Sequence, residues 1–161
     1  MNIRRFQPGE EFALFEVFYS AIHLIARNDY SKEQLNAWAP LDFDRERWVD
    51  RINGINPFVA EIDGKPVGYA DIQPNGYIDH FFVSGYHSRQ GIGKTLMQSI
   101  HSEAMRLNLT ELTSNVSQTA QPFFDRFGFV VVDRNNPIIR GVELQNALMR
   151  KELRDITSFQ S

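Results

Sequence analysis

The first third of the chain consists mainly of segments in which apolar residues recur every three or four positions, the spacing of one helix face. Ser31 with Gln34 three residues later is a capping-box pattern, and Asp44 is a residue type that favours a helix N-cap. Gly54 and Pro57 end the last of these segments. The predicted helices span 10–26, 31–40 and 44–52, after a short strand at 2–6.

The middle of the chain changes to short runs of apolar and β-branched residues, which are typical of strands. Runs at 58–62, 65–72 and 77–83 are joined by Asp63-Gly64 and Asn75-Gly76, dipeptides that favour tight hairpin turns. This pattern predicts an antiparallel meander of three strands.

Beyond the meander, helix and strand patterns alternate. Apolar residues return to the helical period from Gly91 to Leu107. The later segments predict a strand at 109–116, a short helix at 120–127, a strand at 129–133 and a final strand at 141–153. The order βααα-βββ-α-β-α-ββ predicts a mixed α/β (α+β) fold, and a length of 161 residues without a linker predicts a single domain.

Composition narrows the classes of partner and location. A formal net charge of -3 gives no global positive field, so we expect no binding to nucleic acid. The sequence contains no cysteine, which removes disulfides, thiolate metal sites and a cysteine nucleophile. No run approaches the roughly 20 apolar residues of a membrane span, and the N-terminus lacks the apolar core of a signal peptide. We expect no membrane association and a cytoplasmic location.

The segment SRQGIGKTL, residues 88–96, joins a predicted strand to a predicted helix through two closely spaced glycines. Such a turn presents backbone N–H groups and a helix N-terminus to an anion, and an ordinary strand-to-helix turn is an equally good interpretation. A P-loop needs a glycine where Ser88 stands, and a dinucleotide fingerprint needs one where Leu96 stands. Both nucleotide interpretations are therefore disfavoured.

The stretch YIDHFFVSGYHSRQGIGKTLMQSI resembles the central motif of the GNAT family of N-acetyltransferases, and NVSQTAQPFFDRFGF is similar to the family's second motif. The resemblance runs from Ile3 to about Leu153, which predicts one acetyltransferase-like domain over 1–161 with a core at 3–153 and a short tail at 154–161. It implies a mostly antiparallel sheet that splays between the fourth and fifth strands. It also implies acetyl-CoA as cosubstrate and CoA as product.

The resemblance implies that the pyrophosphate of acetyl-CoA lies on the amides from Arg89 to Lys94. The implied cofactor-binding residues are Phe82, Val83, Ser88, Arg89, Gln90, Gly91, Ile92, Gly93, Lys94, Asn115, Phe123 and Phe124. Asn115 and Ser117 at a strand end are equally typical of turns, and Phe123 with Phe124 is equally typical of a core pair.

Two positions depart from the family pattern. Ser88 replaces a longer donor to the phosphates, and Phe124 stands where many members carry a tyrosine that protonates the departing thiolate. Phenylalanine has no proton to donate. The alternative function is therefore an acyl-CoA-binding sensor or interaction module that has lost acetyl transfer.

The resemblance implies direct transfer to an amine, with the thioester carbonyl polarised by a main-chain N–H near Val83. Asp79 is the first candidate for the base and His80 the second, and both are also ordinary polar strand residues. Because side chains alternate along a strand, at most one of the two should face a given cleft.

Acceptor binding is expected from the early helices, where Tyr30, Trp38 and Asp42 combine an aromatic wall with a carboxylate suited to a cationic amine. The expected acceptor is a small amine, a polyamine-like compound or a peptide amine. The loop at 133–141 either borders this site or is a solvated hairpin loop. No His/Asp/Glu group has metal-ligand spacing, so we expect no metal, and a homodimer is a further expectation from the resemblance.

Overall fold

The structure is a computed structural model that describes residues 1–153. The predicted tail at 154–161 lies outside the described residues. The α-helices of the described part are Glu11–Ser20 (α1), Lys32–Trp38 (α2), Arg45–Ile55 (α3), Ile92–Arg106 (α4) and Gln121–Arg126 (α5). The strands are Asn2–Arg5 (β1), Phe58–Ile62 (β2), Lys65–Ala70 (β3), Tyr77–Ile78 (β4), Phe81–Val83 (β5), Glu111–Ser117 (β6), Val130–Asn135 (β7), Ile138–Ile139 (β8), Val142–Glu143 (β9) and Asn146–Glu152 (β10).

The local signals in the sequence are present as hydrogen bonds. Ser31 and Gln34 form the reciprocal capping box of α2, and the Asp44 side chain accepts the N–H of Arg47 at the start of α3. Asp63 and Gly64 both have positive φ, 51° and 78°, as a tight hairpin turn between β2 and β3 requires. These short-range predictions are confirmed because each depends only on neighbouring residues.

The predicted strand at 77–83 is divided between two sheets. Its first part, β4, pairs in parallel with β6, and its second part, β5, pairs antiparallel with β3. The sheets have the orders β1-β2-β3-β5 and β4-β6-β10-β7, so β5 and β6 separate beyond Asp79 and His80. The sequence predicted a splay between its fourth strand, 77–83, and its fifth strand, 109–116, and this splay is confirmed. The prediction that 77–83 forms one continuous strand is wrong.

Two other predicted elements are also divided. The first helix ends as an α-helix at Ser20 and continues as a π-helical turn, Ala21–Ile25, and a 3₁₀ turn, Ala26–Asn28. The final strand predicted at 141–153 is two strands, because Leu144 turns inward, is 3% exposed and donates its N–H to Pro137. β9 instead closes a small hairpin with β8, and β8 lies within the loop predicted at 133–141.

Two apolar cores lie on opposite sides of the sheets. Adjacent residues of β2 face different cores: Val59 packs with α1 and α3, and Ala60 packs with α4. Strand alternation explains this division. Within residues 1–153, the structure contains no helix that combines the length and apolar character of a membrane span.

Candidate active site

A groove of about 480 Å³, the α4 groove, lies between the end of β5 and the start of α4. Gly91 precedes the helix with a φ of 77° and provides no side-chain cap, which leaves the first N–H groups of α4 for another acceptor. Arg89 also has a positive φ, 63°. With the helix dipole, these N–H groups can bind an anionic group.

Phe123 of α5 packs closely against Gly93 at the start of α4, beside the α4 groove. A Cβ atom added to Gly93 would lie 3.2 Å from the ring of Phe123, closer than packing allows without movement of that ring. The glycine therefore permits an aromatic wall directly beside the N-terminus of α4. Its role here is close approach, since its φ is not positive.

Nine of the predicted cofactor-binding residues line the α4 groove: Phe82, Val83, Ser88, Arg89, Gly91, Ile92, Gly93, Lys94 and Phe123. Gln90 is exposed and does not line it, and Asn115 lines a different cavity. Phe124 is 2% exposed and packs on Phe81 and Phe129 inside the core. Neighbouring residues on a helix point about 100° apart, so Phe123 and Phe124 do not share the groove as predicted.

The opposite wall of the α4 groove was missed from the sequence. Ala21, Ile22 and Ile25 belong to the π-helical turn that extends α1, and Ala26 follows them. Their apolar spacing resembles that of an ordinary helix, so nothing in the pattern distinguishes a groove wall from a core face. Wide turns of this kind occur often at functional sites.

A second cavity of about 430 Å³, the aromatic cavity, lies between α2, α3 and the separated strands. Tyr30 and Trp38 line it as predicted, together with Phe18, Phe43, Trp48 and Phe82. Asp42 is exposed and does not line it, because the chain between α2 and α3 directs Phe43 inward at that point. The predicted carboxylate for a cationic acceptor is therefore wrong in position.

Three arginines of the aromatic cavity are not indicated by the sequence pattern. Arg47 and Arg51 project from α3, one helical turn apart, and Arg140 comes from the β8–β9 turn. The helical pattern at 44–52 shows both α3 residues as polar positions. Only the packing of α3 beside the sheet brings them to the cavity.

Asp79 and His80 both line the aromatic cavity, so the expectation that only one faces it is wrong. The break between β4 and β5 removes the strand alternation on which that expectation depended. Asp71, which is fully buried at the end of β3, causes the break: its Oδ1 accepts the main-chain N–H groups of both Asp79, at 3.0 Å, and His80. A side chain thus takes the place of the neighbouring strand.

Opposing effects act on the pKa of the Asp71 carboxyl group. Burial raises its pKa to about 6, while hydrogen bonds from His80, Gln73 and Asp79 act in the opposite direction by stabilising the carboxylate. Gln73 Nε2 lies 2.7 Å from Asp71 Oδ2. Asp71 was not singled out from the sequence, since an aspartate after a strand is a common turn residue.

His80 is a neutral ring at physiological pH. Burial lowers its pKa to about 4, against the opposing effect of the Asp79 charge. The hydroxyl of the fully buried Tyr69 lies 3.0 Å from His80 Nδ1. A buried hydroxyl that does not donate its proton loses a hydrogen bond, so we assign the Tyr69 hydroxyl as the donor and His80 Nδ1 as the acceptor. The proton of the neutral imidazole is then on Nε2.

Asp79 is oriented by a cation. Arg51 Nη1 lies 3.0 Å from Asp79 Oδ2, which leaves Oδ1 available to the cavity. In the same cavity, Asn146 Oδ1 is the only buried side-chain polar atom of the described residues that has no hydrogen-bond partner. The carboxylate oxygen of Asp79 can accept a proton or a hydrogen bond from a ligand, and the amide oxygen of Asn146 can accept a hydrogen bond.

The two cavities meet between β5 and β6. Trp38, Phe82 and Ser117 line both of them. Main-chain hydrogen bonds run from Asp71 N to His80 O and from Ser84 N to Val67 O. The main-chain N–H and C=O groups of the even-numbered residues at 80–84 therefore point towards β3. Antiparallel bonding alternates, so the N–H groups of the odd-numbered Phe81 and Val83 point into the gap.

Comparison with known proteins agrees with this arrangement. The family model described as "Acetyltransferase (GNAT) domain" matches residues 26–153. The uncharacterised N-acetyltransferase YafP of Escherichia coli K12 is 35% identical over 151 residues, which cover 93% of this chain and 95% of YafP. The chain belongs to the GNAT family of acetyltransferases.

Solved structures of GNAT proteins share the fold. A GCN5-related N-acetyltransferase from Rhodopseudomonas palustris has a TM-score of 0.90 and 30% identity, with 94% of this chain and 95% of that chain covered. The PaiA N-acetyltransferase of Thermoplasma acidophilum, solved with coenzyme A, has a TM-score of 0.74 and 18% identity over 94% and 98% of the two chains. The second likeness supports the fold alone.

This GNAT acetyltransferase differs from the family's second motif in its core. Phe124 is enclosed by aromatic rings, so the position at which the resemblance implies a tyrosine lines neither cavity here. Ser88, the other departure, does line the α4 groove. Among residues 1–153, no group of three or more His, Asp or Glu side chains could hold a metal ion.

Proposed function

We propose that this protein transfers an acetyl group directly from acetyl-CoA to the primary amine of a small molecule. The observation that carries the proposal is the meeting of the α4 groove and the aromatic cavity at Trp38, Phe82 and Ser117. Two substrates that bind from opposite sides can react at such a junction without a covalent enzyme intermediate. Membership of the GNAT acetyltransferase family supports the reaction class.

The α4 groove fits a molecule with an anionic diphosphate and an apolar arm. The N–H groups from Arg89 to Lys94 would hold the diphosphate, and both of those side chains add positive charge. Phe123 and Val83 provide apolar walls towards the junction. Bound acetyl-CoA supplies the acetyl group as a thioester. The N–H groups of Phe81 and Val83 would be the donors to the thioester carbonyl in the gap.

Asp79 is the residue that we propose takes the proton of the amine, at Oδ1. Arg51 fixes the other carboxylate oxygen and so orients the side chain. His80 is less suited to this role because its Nδ1 is engaged by Tyr69 and its Nε2 carries a proton. His80 instead offers an N–H donor to the acceptor, and Asn146 Oδ1 can accept an N–H of the amine.

Of the three side chains that line both cavities, Ser117 is the one with a hydroxyl group, which could donate a hydrogen bond at the junction. Phe124 has none, and the Tyr30 hydroxyl donates to Gln145 and accepts from Gln118. Ser117 Oγ accepts the N–H of Ala120 at 3.2 Å, which leaves its own O–H to point to the gap. A serine there can hydrogen-bond to a leaving sulfur or to the water that protonates it.

The first experiment is calorimetric titration of acetyl-CoA, with ATP and NAD as controls, into the wild type and Gly91→Glu. Acetyl-CoA should bind to the wild type alone, because the variant places a carboxylate on the anion site. Gly64→Glu is the matched control: its φ is 78° and, as at Gly91, the space for a Cβ is open. Absence of acetyl-CoA binding by the wild type contradicts the proposal.

Transfer is separated from mere binding by assay of CoA release over a panel of amines. Release that depends on the amine, and that Asp79→Asn abolishes, supports the enzyme. Acetyl-CoA binding with no release on any amine would favour a sensor or interaction module instead. The aromatic cavity with its oriented carboxylate favours the enzyme, since a sensor needs no such group.

We further propose a homodimer that forms through β7. This strand is the outer member of its sheet, and Val130, Val131 and Val132 are 59%, 37% and 52% exposed. An unpaired strand edge with apolar side chains favours pairing with another strand, and a second copy offers the same edge. A cytoplasmic location remains a prediction from the sequence.

A further inference from the structure

We propose that the acceptor carries an anionic group, a carboxylate or a phosphoryl group, on the same small molecule as its amine. This inference rests on the proposed function, because it takes the aromatic cavity as the acceptor site. It narrows the expected acceptors, which were a small amine, a polyamine-like compound or a peptide amine, to a small molecule that carries both an amine and an anionic group.

The charges of the aromatic cavity are the first argument. Its charged lining residues in the described part of the chain are Arg47, Arg51, Arg140 and Asp79. Asp79 is already neutralised by Arg51, at 3.0 Å. The cavity therefore holds an excess of positive charge, which repels a polycation and attracts an anion.

The position of Arg140 is the second argument. Its Nη1 donates to the carbonyl of Ala37 at 2.8 Å, and its guanidinium lies 4.7 Å from the ring centroid of Phe43. A guanidinium held in this way loses little conformational freedom when it binds a ligand. The contact also joins the β8–β9 turn to α2, so the hairpin forms one wall of the cavity.

Arg47 is the third argument. Within residues 1–153 its side chain forms no hydrogen bond or ion pair, although its main-chain N–H is bound by Asp44. The acidic residues beside it on α3, Glu46 and Asp50, line a separate shallow surface depression. A guanidinium without a protein partner at a cavity wall is available for a bidentate contact with a carboxylate or phosphoryl group.

The polar groups of the cavity can be assigned to two kinds of partner. Asp79 Oδ1 and Asn146 Oδ1 are acceptors and suit the amine, whereas the arginines and His80 Nε2–H are donors and suit the anion. A cavity of about 430 Å³ with aromatic walls accommodates a small molecule that carries both groups.

The test compares amines that differ only in the anion: tyrosine with tyramine, and O-phosphoethanolamine with ethanolamine, with spermidine as the polycation. CoA release is measured at saturating acetyl-CoA. For at least one pair, kcat/KM should be about tenfold or more higher for the anionic member, mainly through KM. The pair that responds distinguishes a carboxylate from a phosphoryl group.

Arg47→Gln tests the assigned residue. It should lower kcat/KM about tenfold more for the anionic member than for its uncharged partner. Arg45→Gln is the matched control, since it removes the same charge from an exposed position on the same helix, α3, outside the aromatic cavity. The control should leave the preference within about twofold of the wild-type value.

A thermal-shift assay of the same amines separates the two proposals. If no amine supports CoA release but the anionic members alone raise the Tm, and R47Q abolishes that rise, the anionic preference stands and acetyl transfer fails. Equal turnover within both pairs, or a preference for spermidine, overturns the anionic acceptor and leaves acetyl transfer standing. The absence of both release and selective thermal stabilisation overturns both proposals.

Discussion

At the scale of single residues, the site depends on how a few polar groups are held. Asp79 is oriented by Arg51, and His80 is bound at Nδ1 by a buried tyrosine. These contacts distinguish a proton acceptor from a hydrogen-bond donor in two adjacent residues that look equivalent in the sequence. On these contacts we propose Asp79, rather than His80, as the base.

Asp79→Asn should lower kcat/KM by about 100-fold or more, because the amide cannot take the proton of the amine. The Kd for acetyl-CoA should remain unchanged, since Asp79 does not line the α4 groove. Steady-state kinetics and calorimetry measure the two quantities. Asp42→Asn, on the exposed chain outside the cavity, should behave as the wild type. Near-normal activity of Asp79→Asn would assign the base elsewhere.

Phe124→Tyr should reduce stability without raising kcat. Phe124 is 2% exposed among aromatic rings, so the added hydroxyl would be buried without a partner, at a cost of about 1–3 kcal/mol. A thermal melt should show a Tm several degrees lower. Phe12→Tyr, at a position 46% exposed, should have no such effect. A rise in kcat would mean that the hydroxyl reaches the junction after all.

At the scale of elements, the division of one strand between two sheets creates the site. β4 stays with β6, β5 stays with β3, and Asp71 binds the two main-chain N–H groups between them. The gap beyond this point is where the α4 groove and the aromatic cavity meet. Asp71 is therefore a positioning residue rather than a catalytic one.

Asp71→Ala should lower kcat/KM at least about tenfold by displacing Asp79 and His80, since small displacements of reacting groups are costly. The Kd for acetyl-CoA should change little, because the α4 groove does not include Asp71. Asp71→Asn keeps an oxygen that can accept the N–H groups and should restore most of the activity. Equal loss in both variants would instead indicate that the negative charge itself is required.

At the scale of the whole molecule, His80 and Asp71 make opposing contributions to the dependence of stability on pH. The folded pKa of His80, about 4, is below the unfolded value, so the folded state binds fewer protons and loses stability as the pH falls from about 6.5 to 4. The folded pKa of Asp71, about 6, is above the unfolded value, so stability rises as the pH falls through about 6. Asp79 and Arg51 also face His80 and contribute to its shift.

His80→Gln should therefore gain stability relative to the wild type on acidification, by roughly 2 kcal/mol between pH 7 and pH 4.5. Urea denaturation at the two pH values measures this difference. Asp71→Asn should show the opposite sign and lose stability relative to the wild type as the pH falls. Parallel stability curves for all three proteins would contradict the pKa shifts.

The proposed dimer is tested by sedimentation. The wild type should sediment with the mass of two protomers, and Val131→Lys with Val132→Lys should sediment as a monomer, because the edge of β7 then carries charge. Ile138→Lys, at a position 74% exposed on β8, is the control and should remain dimeric. A monomeric wild type, or a dimer that persists in the double variant, rules out this interface.

The sequence by itself determined the family, the order of most elements and the glycine-rich turn before α4. These depend on local patterns: the capping box at Ser31, the hairpin dipeptide at Asp63, and the glycines from Gly91 to Gly93, each of which acts over a few residues. Most of the predicted cofactor residues line the α4 groove for the same reason, since they lie in one continuous segment.

Only the tertiary structure decided the contents of the aromatic cavity and the division of the fourth strand. Arg47 and Arg140 are about 90 positions apart in the chain, and both line the aromatic cavity because α3 and the β8–β9 hairpin lie around the same gap. Asp71 breaks the strand through bonds to residues eight and nine positions away. Contacts between segments distant in the sequence leave no periodic signal, because each side chain has the pattern of an ordinary polar position in its own element.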